Sequence, residues 1–181
     1  LHGKLETDDM QNMAMAYAVS KEKKREAITE MITELCVSGV NAIVKSEECL
    51  QQIRSLFDLD GITVFSDRGN RLVCRNGNYM AEAPDGRLGF EDEGYLSLFG
   101  DDDIFVESNM IKLRSQNPAA YAVTQEQEVG AALQCLSRKE GIPYTMVSFE
   151  VFNRNRKWSD KDVTLLTLLG HCIGDLLNYS E

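Results

Sequence analysis

In the run Tyr144-Thr-Met-Val-Ser-Phe-Glu-Val-Phe152, a hydroxyl and a carboxylate, Ser148 and Glu150, stand two residues apart in an otherwise apolar segment. On a β-strand that spacing puts both on one face with Tyr144, Met146 and Phe152, while Thr145, Val147, Phe149 and Val151 share the other. Such groups are costly to bury alone, so they must meet water, a basic side chain such as Arg75, or a bound molecule. The expected site is a cavity lined by Tyr144, Met146, Ser148 and Glu150, with Phe65 and Cys74 from an earlier hairpin and Tyr121 from the segment before the last one. The alternative is a filled core in which these groups satisfy one another.

Other chemistry finds little support in the residue pattern. No Ser-His-Asp order, phosphate-binding loop or metal-ligand cluster is present, so neither an enzyme nor a metal or cofactor site is expected. Asp101-Asp102-Asp103 lacks the alternate spacing and closing glutamate of a calcium loop. The five cysteines, at 36, 49, 74, 135 and 172, include no Cys-x-x-Cys; packed, reduced thiols and a cytoplasmic setting follow. The formal charge of −10 is concentrated between Glu82 and Glu107, a field that repels phosphate backbones and argues against nucleic-acid binding. No apolar run approaches the roughly 18 residues of a membrane span. A chain beginning at Leu1 reads as a piece of a longer polypeptide.

The elements that must position the site follow from periodicity. Residues 1–20 read as a linker or frayed helix, and residues 21–181 as one domain that opens with a helix over about 21–45. On that helix Ile28, Ile32, Leu35 and Gly39 repeat at coiled-coil spacing, with Met31, Cys36, Val40 and Val44 on a neighbouring face. Two apolar faces imply two partners, so a homodimer is expected through Ile28, Ile32, Leu35 and Gly39, joined by Ile173. A second helix, capped by Ser46, ends before Asp60-Gly61, and Gly61–Ser66 with Arg71–Arg75 forms a hairpin. Between Asn76 and Asn117 short helical turns and loops are expected. Ala131, Ala132, Leu133 and Gln134 favour a helix by propensity, yet a strand over Gly130–Ser137 supplies the Tyr144 strand with a hairpin partner. Ser159 as N-cap, Asp162 in the first turn and Trp158 stapled to Val163 start a last helix, with Val163, Leu166, Leu169, Ile173, Leu176 and Leu177 on one stripe.

The pattern of strand, tight turn, long strand, basic loop, aromatic-Ser-Asp-x-Asp and terminal leucine-rich helix over Leu133–Leu177 resembles the GAF family of small sensory domains. The resemblance covers the chain well from about Val40 and poorly in the middle. It implies an α+β, PAS-related fold: a five- or six-stranded antiparallel sheet, N- and C-terminal helices on one face, and a pocket covered by loops and short helices on the other. It also implies a regulatory input module excised from a larger cytoplasmic signalling protein, with an unidentified small-molecule ligand and a covalently attached output domain. A ligand-free dimerisation scaffold is the alternative, and an enzyme resembling the free methionine sulfoxide reductase, with Cys74 and Cys135 near the cavity, a weaker one. Asn153-Arg154, Trp158 and Asp162 resemble a worn form of the Asn-Lys…Phe…Asp-Glu signature of cyclic-nucleotide-binding members; an Arg154–Asp162 ion pair would keep its structural part. His171-Cys172 lies on the wrong element for the Cys-His pair by which some members hold a bilin.

Overall fold

A computed structural model describes residues 2–37, 50–66, 71–75, 78–82 and 92–179, with side chains for residues 8–24, 26–28, 30, 50–65 and 92–175. The chain divides into two compact units, Leu1–Val37 and Ser38–Glu181. The first is one helix, α1 (His2–Val37), continuous across residue 20. Gly39 and the Ser46 cap lie outside the described residues, as do the side chains of Ile32 and Leu35.

The second unit is built on an antiparallel sheet. Its strands are β1 (Gly61–Ser66), β2 (Arg71–Arg75), β3 (Asn78–Glu82), β4 (Ile104–Glu107), β5 (Val129–Lys139) and β6 (Ile142–Phe152), in the order β3-β2-β1-β6-β5-β4. The apolar run of β6 thus lies inside the sheet, paired with β1 and β5. β1 and β2 occupy the expected hairpin segments. Pairing with β6 overrides the helix propensity of Ala131–Gln134, because it buries every residue from Ala131 to Ser137. β3 and β4 fall in the stretch expected to hold only turns and loops; each has five residues or fewer and is recruited by its neighbour.

Residues 50–56 form helix α2, which buries Leu50, Ile53 and the following Phe57. Between β3 and β5 lie α3 (Glu93–Leu96), a 3-10 turn (Met110–Lys112), α4 (Leu113–Gln116) and α5 (Pro118–Glu126). Asp92 caps α3 through the Tyr95 N–H, and Asn117 caps α5 through the Ala120 N–H, with Pro118 at the first turn.

Helix α6 (Asp160–Tyr179) starts as its sequence demands: the Asp162 N–H donates to Ser159 Oγ at 3.1 Å. Leu166, Leu169 and Ile173 are fully buried. α6 packs on β5 and β6, and two glycines allow the approach. A Cβ at Gly170 would lie 3.0 Å from Cys135 Sγ, and one at Gly174 2.4 Å from Thr145 Oγ1.

Candidate functional site on the sheet face opposite α6

Strand register sorts the residues into two faces. Cys135, Phe149 and Thr145 face α6 through its glycines, and their register lines are Cys135–Val147–Val64, Leu133–Phe149–Ile62 and Ser137–Thr145–Ser66. The alternating lines, Leu136–Met146–Phe65, Gln134–Ser148–Thr63 and Ala132–Glu150–Gly61, form the opposite face.

That face carries a buried polar row. Gln134, Ser148 and Thr63 are at most 6% exposed, and Glu150 is 5% exposed. The Tyr95 hydroxyl, delivered by α3, donates to Gln134 Oε1, and Gln134 Nε2 donates to Ser148 Oγ at 3.1 Å. The same hydroxyl lies 3.8 Å from Met146 Sδ. Burial holds the Tyr95 phenol well above the ordinary tyrosine range, with the Glu150 carboxylate adding to the effect, so it is a neutral donor at physiological pH. Around the row, Phe99, Phe105, Met110, Leu113, Leu136 and Met146 form an apolar cluster, against which Phe65, Tyr95 and Tyr121 pack. Tyr95 stacks edge-on to Phe99, and Phe99 tilts against Phe105. A separate hollow of about 540 Å³ opens at the β4 edge beside Phe105, Glu107 and Val163; Gln134 and Ser148 do not line it.

Of the residues expected to line a cavity, Phe65, Tyr121 and Met146 meet in the apolar cluster, and Ser148 and Glu150 share their face. Two do not fit. Tyr144 reaches the other way, its hydroxyl bonding Asp175 of α6; a register shift between Ser137 and Arg138 alters the hairpin end where Tyr144 sits. Cys74 pairs in register with Ile62, and Ile62 with Phe149, so its position is one residue out of step with the polar row. Among the expected dimer contacts, Ile173 is fully buried and shares its helix face with Leu166 and Leu169.

Gln134 and Tyr95 were not among the expected site residues. Gln134 is signalled by a polar side chain at alternate spacing from Ala132 and Leu136. Tyr95 lies in an acidic, glycine-containing stretch without periodicity, and only its Asp92 cap marks it.

The loop from β6 to α6 is fixed by Arg156 rather than through the expected Arg154–Asp162 pair. Arg156 donates to Phe57 O at 2.6 Å and Asp58 O at 3.0 Å, lies 3.3 Å from Asp162 Oδ2, and stacks 4.5 Å above the Trp158 ring. Arg154 turns to Asp58 and Asp60 instead. Asn153, with φ 54°, sets this turn. Gly130 lies so close beneath that a Cβ there would come within 2.2 Å of Arg154 O. On the α6 side, Ser137 Oγ and His171 Nδ1 are 3.1 Å apart. Among the described residues no group of three or more His, Cys, Asp or Glu side chains converges to hold a metal ion.

This architecture recurs in solved structures. The GAF domain of an Acinetobacter phosphoenolpyruvate-protein phosphotransferase matches with a TM-score of 0.63 at 12% identity, over 87% of this chain and 94% of that one. The chain adopts the GAF fold. The photosensory core module of a Stigmatella aurantiaca phytochrome matches with a TM-score of 0.67 at 16% identity, over 89% of this chain and 37% of that one. The red/green cyanobacteriochrome NpR6012g4 matches with a TM-score of 0.56 at 14% identity, over 78% and 96%. The chain spans 60% of the Stigmatella bacteriophytochrome chromophore-binding domain that it also resembles. No protein-family profile and no curated protein matches the sequence.

Proposed function

We propose that this GAF-fold chain is a regulatory sensor domain that takes a small molecule on the sheet face opposite α6 and signals through its terminal helices. One observation carries the reading: a relay from half-buried Tyr95 to buried Gln134 and Ser148, with the Glu150 carboxylate on the adjacent register line, covered by short helices instead of a second sheet. Each polar group buried on a strand face must be matched by a partner, and the donor to Gln134 comes from a short helix rather than from the sheet itself. A ligand with hydrogen-bonding edges would exchange bonds with this row once α3 moved aside. The signal would pass to an attached output domain, and α1 would join two copies.

The scaffold reading draws on a different observation, the apolar cluster that packs Phe99, Phe105, Met110 and Met146 on the same face. The domain acts without catalysis in both readings. Burial pushes the Cys135 thiol up to about 12, which disfavours the thiolate that a methionine sulfoxide reductase would need. Cys135 also faces α6. His171 and Cys172 lie on α6 and His171 bonds Ser137, which favours a reading without a covalent bilin.

Native mass spectrometry of the freshly purified chain separates the two. A small molecule that travels with the parent and is lost from Gln134→Leu supports the sensor. A folded chain of bare mass, unmoved in melting temperature by a metabolite panel, leaves the scaffold.

A further inference from the structure

The hollow at the β4 edge stands apart from the polar row, and its charge is one-sided. Leu98, Phe105, Val106 and Val163 supply an apolar wall, Asp102 and Glu107 bring carboxylates, and no lysine, arginine or histidine among the described residues lines it. Its volume of about 540 Å³ is that of a small-molecule site. Backbone donors hold both carboxylates: the Ile104 N–H donates to Asp102 Oδ1 at 3.3 Å, and the Asn109 N–H to Glu107 Oε1 at 3.1 Å. Lys112 reaches Glu107 at 3.7 Å, yet it is 64% exposed and lies outside the lining. Strand register adds an acceptor. The Leu136 N–H donates to Asp103 O at 2.9 Å, so in the alternating ladder Phe105 and Glu107 turn their backbone groups to β5, and Ile104 and Val106 turn theirs outward. Gly100 N–H donates to Ile104 O, whereas no donor among the described residues meets Val106 O.

We propose that this hollow binds an aliphatic polyamine, with one ammonium at Asp102, another at Glu107 and Val106 O, and the methylene chain along the apolar wall. Charge and shape point the same way. Asp102 precedes β4 and Glu107 ends it, so the carboxylates lie at opposite ends of the strand, at most ~17 Å apart along an extended backbone. Anionic groups separated by apolar surface suit ammonium groups separated by methylenes, whereas a single metal ion would leave one carboxylate and the wall without contact. An anion would be repelled from both ends. Asp101 and Asp103 add negative charge from outside the lining, although Asp103 is tied to Arg138 at 2.8 Å. None of Tyr95, Gln134 or Ser148 takes part, so the site is separate from the one proposed on the sheet face.

Isothermal titration of the full 181-residue chain with spermidine, at fixed ionic strength, tests it. Asp102→Asn and Glu107→Gln keep an oxygen to accept from Ile104 and Asn109, so the fold should stand, but each should weaken binding about three- to tenfold. Asp101→Asn removes the same charge beside the hollow without touching its lining, and should stay within about twofold of the parent. Among dications, an eight-carbon diamine should bind more tightly than a three-carbon one, because only the longer spans both carboxylates. Equal losses in all three variants, or equal affinity of the two diamines, would reveal general attraction to negative charge and overturn the site. So would a parent that takes up no spermidine at millimolar concentration, or lining variants that bind it as the parent does. Gln134→Leu should leave spermidine affinity unchanged, so the failure of either site is read without the other.

Discussion

Gln134 sits between two hydroxyls, accepting from Tyr95 and donating to Ser148, so it is the residue on which the buried row depends. Tyr95→Phe keeps the ring but leaves the Gln134 carbonyl oxygen without this donor, and should cost about 1–3 kcal/mol in urea unfolding. A loss near zero would mean that water takes over the contact. Cys135 gives a pH signature of its own. Its thiol is raised from 9.0 to about 12 by burial, so the unfolded chain releases this proton first as pH rises. The stability contribution is intact below pH 9 and falls between pH 9 and 12, with a slope approaching ~1.4 kcal/mol per pH unit. Cys135→Ala should flatten that slope relative to the parent, and identical slopes would deny the burial. Ser148 and Glu150 were legible from alternation within one strand. Gln134 and Tyr95 were not, because their roles come from pairing across β5 and β6 and from a four-residue helix that no periodicity announces.

Contact between α6 and the sheet is set by glycine, and it makes a prediction that propensity alone would get backwards. Alanine normally stabilises a helix by about 1 kcal/mol relative to glycine, yet a Cβ at Gly174 would overlap Thr145 Oγ1 at 2.4 Å. Gly174→Ala should therefore destabilise the chain by about 1–3 kcal/mol. Thr145 Oγ1 is buried without a hydrogen-bond partner, so adding Thr145→Ala should recover most of the loss by removing the colliding atom; no recovery in the double variant would place the clash elsewhere. Phe149, fully buried on the same face, should cost about 3–5 kcal/mol on truncation to alanine. The long elements were legible: the leucine stripe and Ser159 cap marked α6, and the apolar run marked β6. Short β4 was not, since Ile104–Glu107 becomes a strand only by pairing with β5. Nor could the loop sequence decide between Arg154 and Arg156 as the partner of Asp162, because the turn at Asn153 settles which guanidinium faces α6.

At the scale of the whole molecule, the chain's two units make different demands on the sequence that encodes them. The Ser38–Glu181 unit holds the sheet and its polar row, with buried apolar residues running from Leu50 to Ile173. In α1, residues 8–23 are exposed throughout, so cutting them away uncovers no buried apolar area and should remove no core energy. Deleting residues 1–20 is therefore expected to leave the thermal midpoint of the sheet unit within about 2 °C of the parent, since less than ~1 kcal/mol is at stake, while the dimer proposed for the parent gives way to monomer in light scattering. The two readouts constrain each other. A lower midpoint at unchanged mass would show that these residues stabilise their own chain instead of joining two copies. A dimer that survived the deletion would move the association to residues beyond Ser20, where Ile32 and Leu35 repeat at heptad spacing.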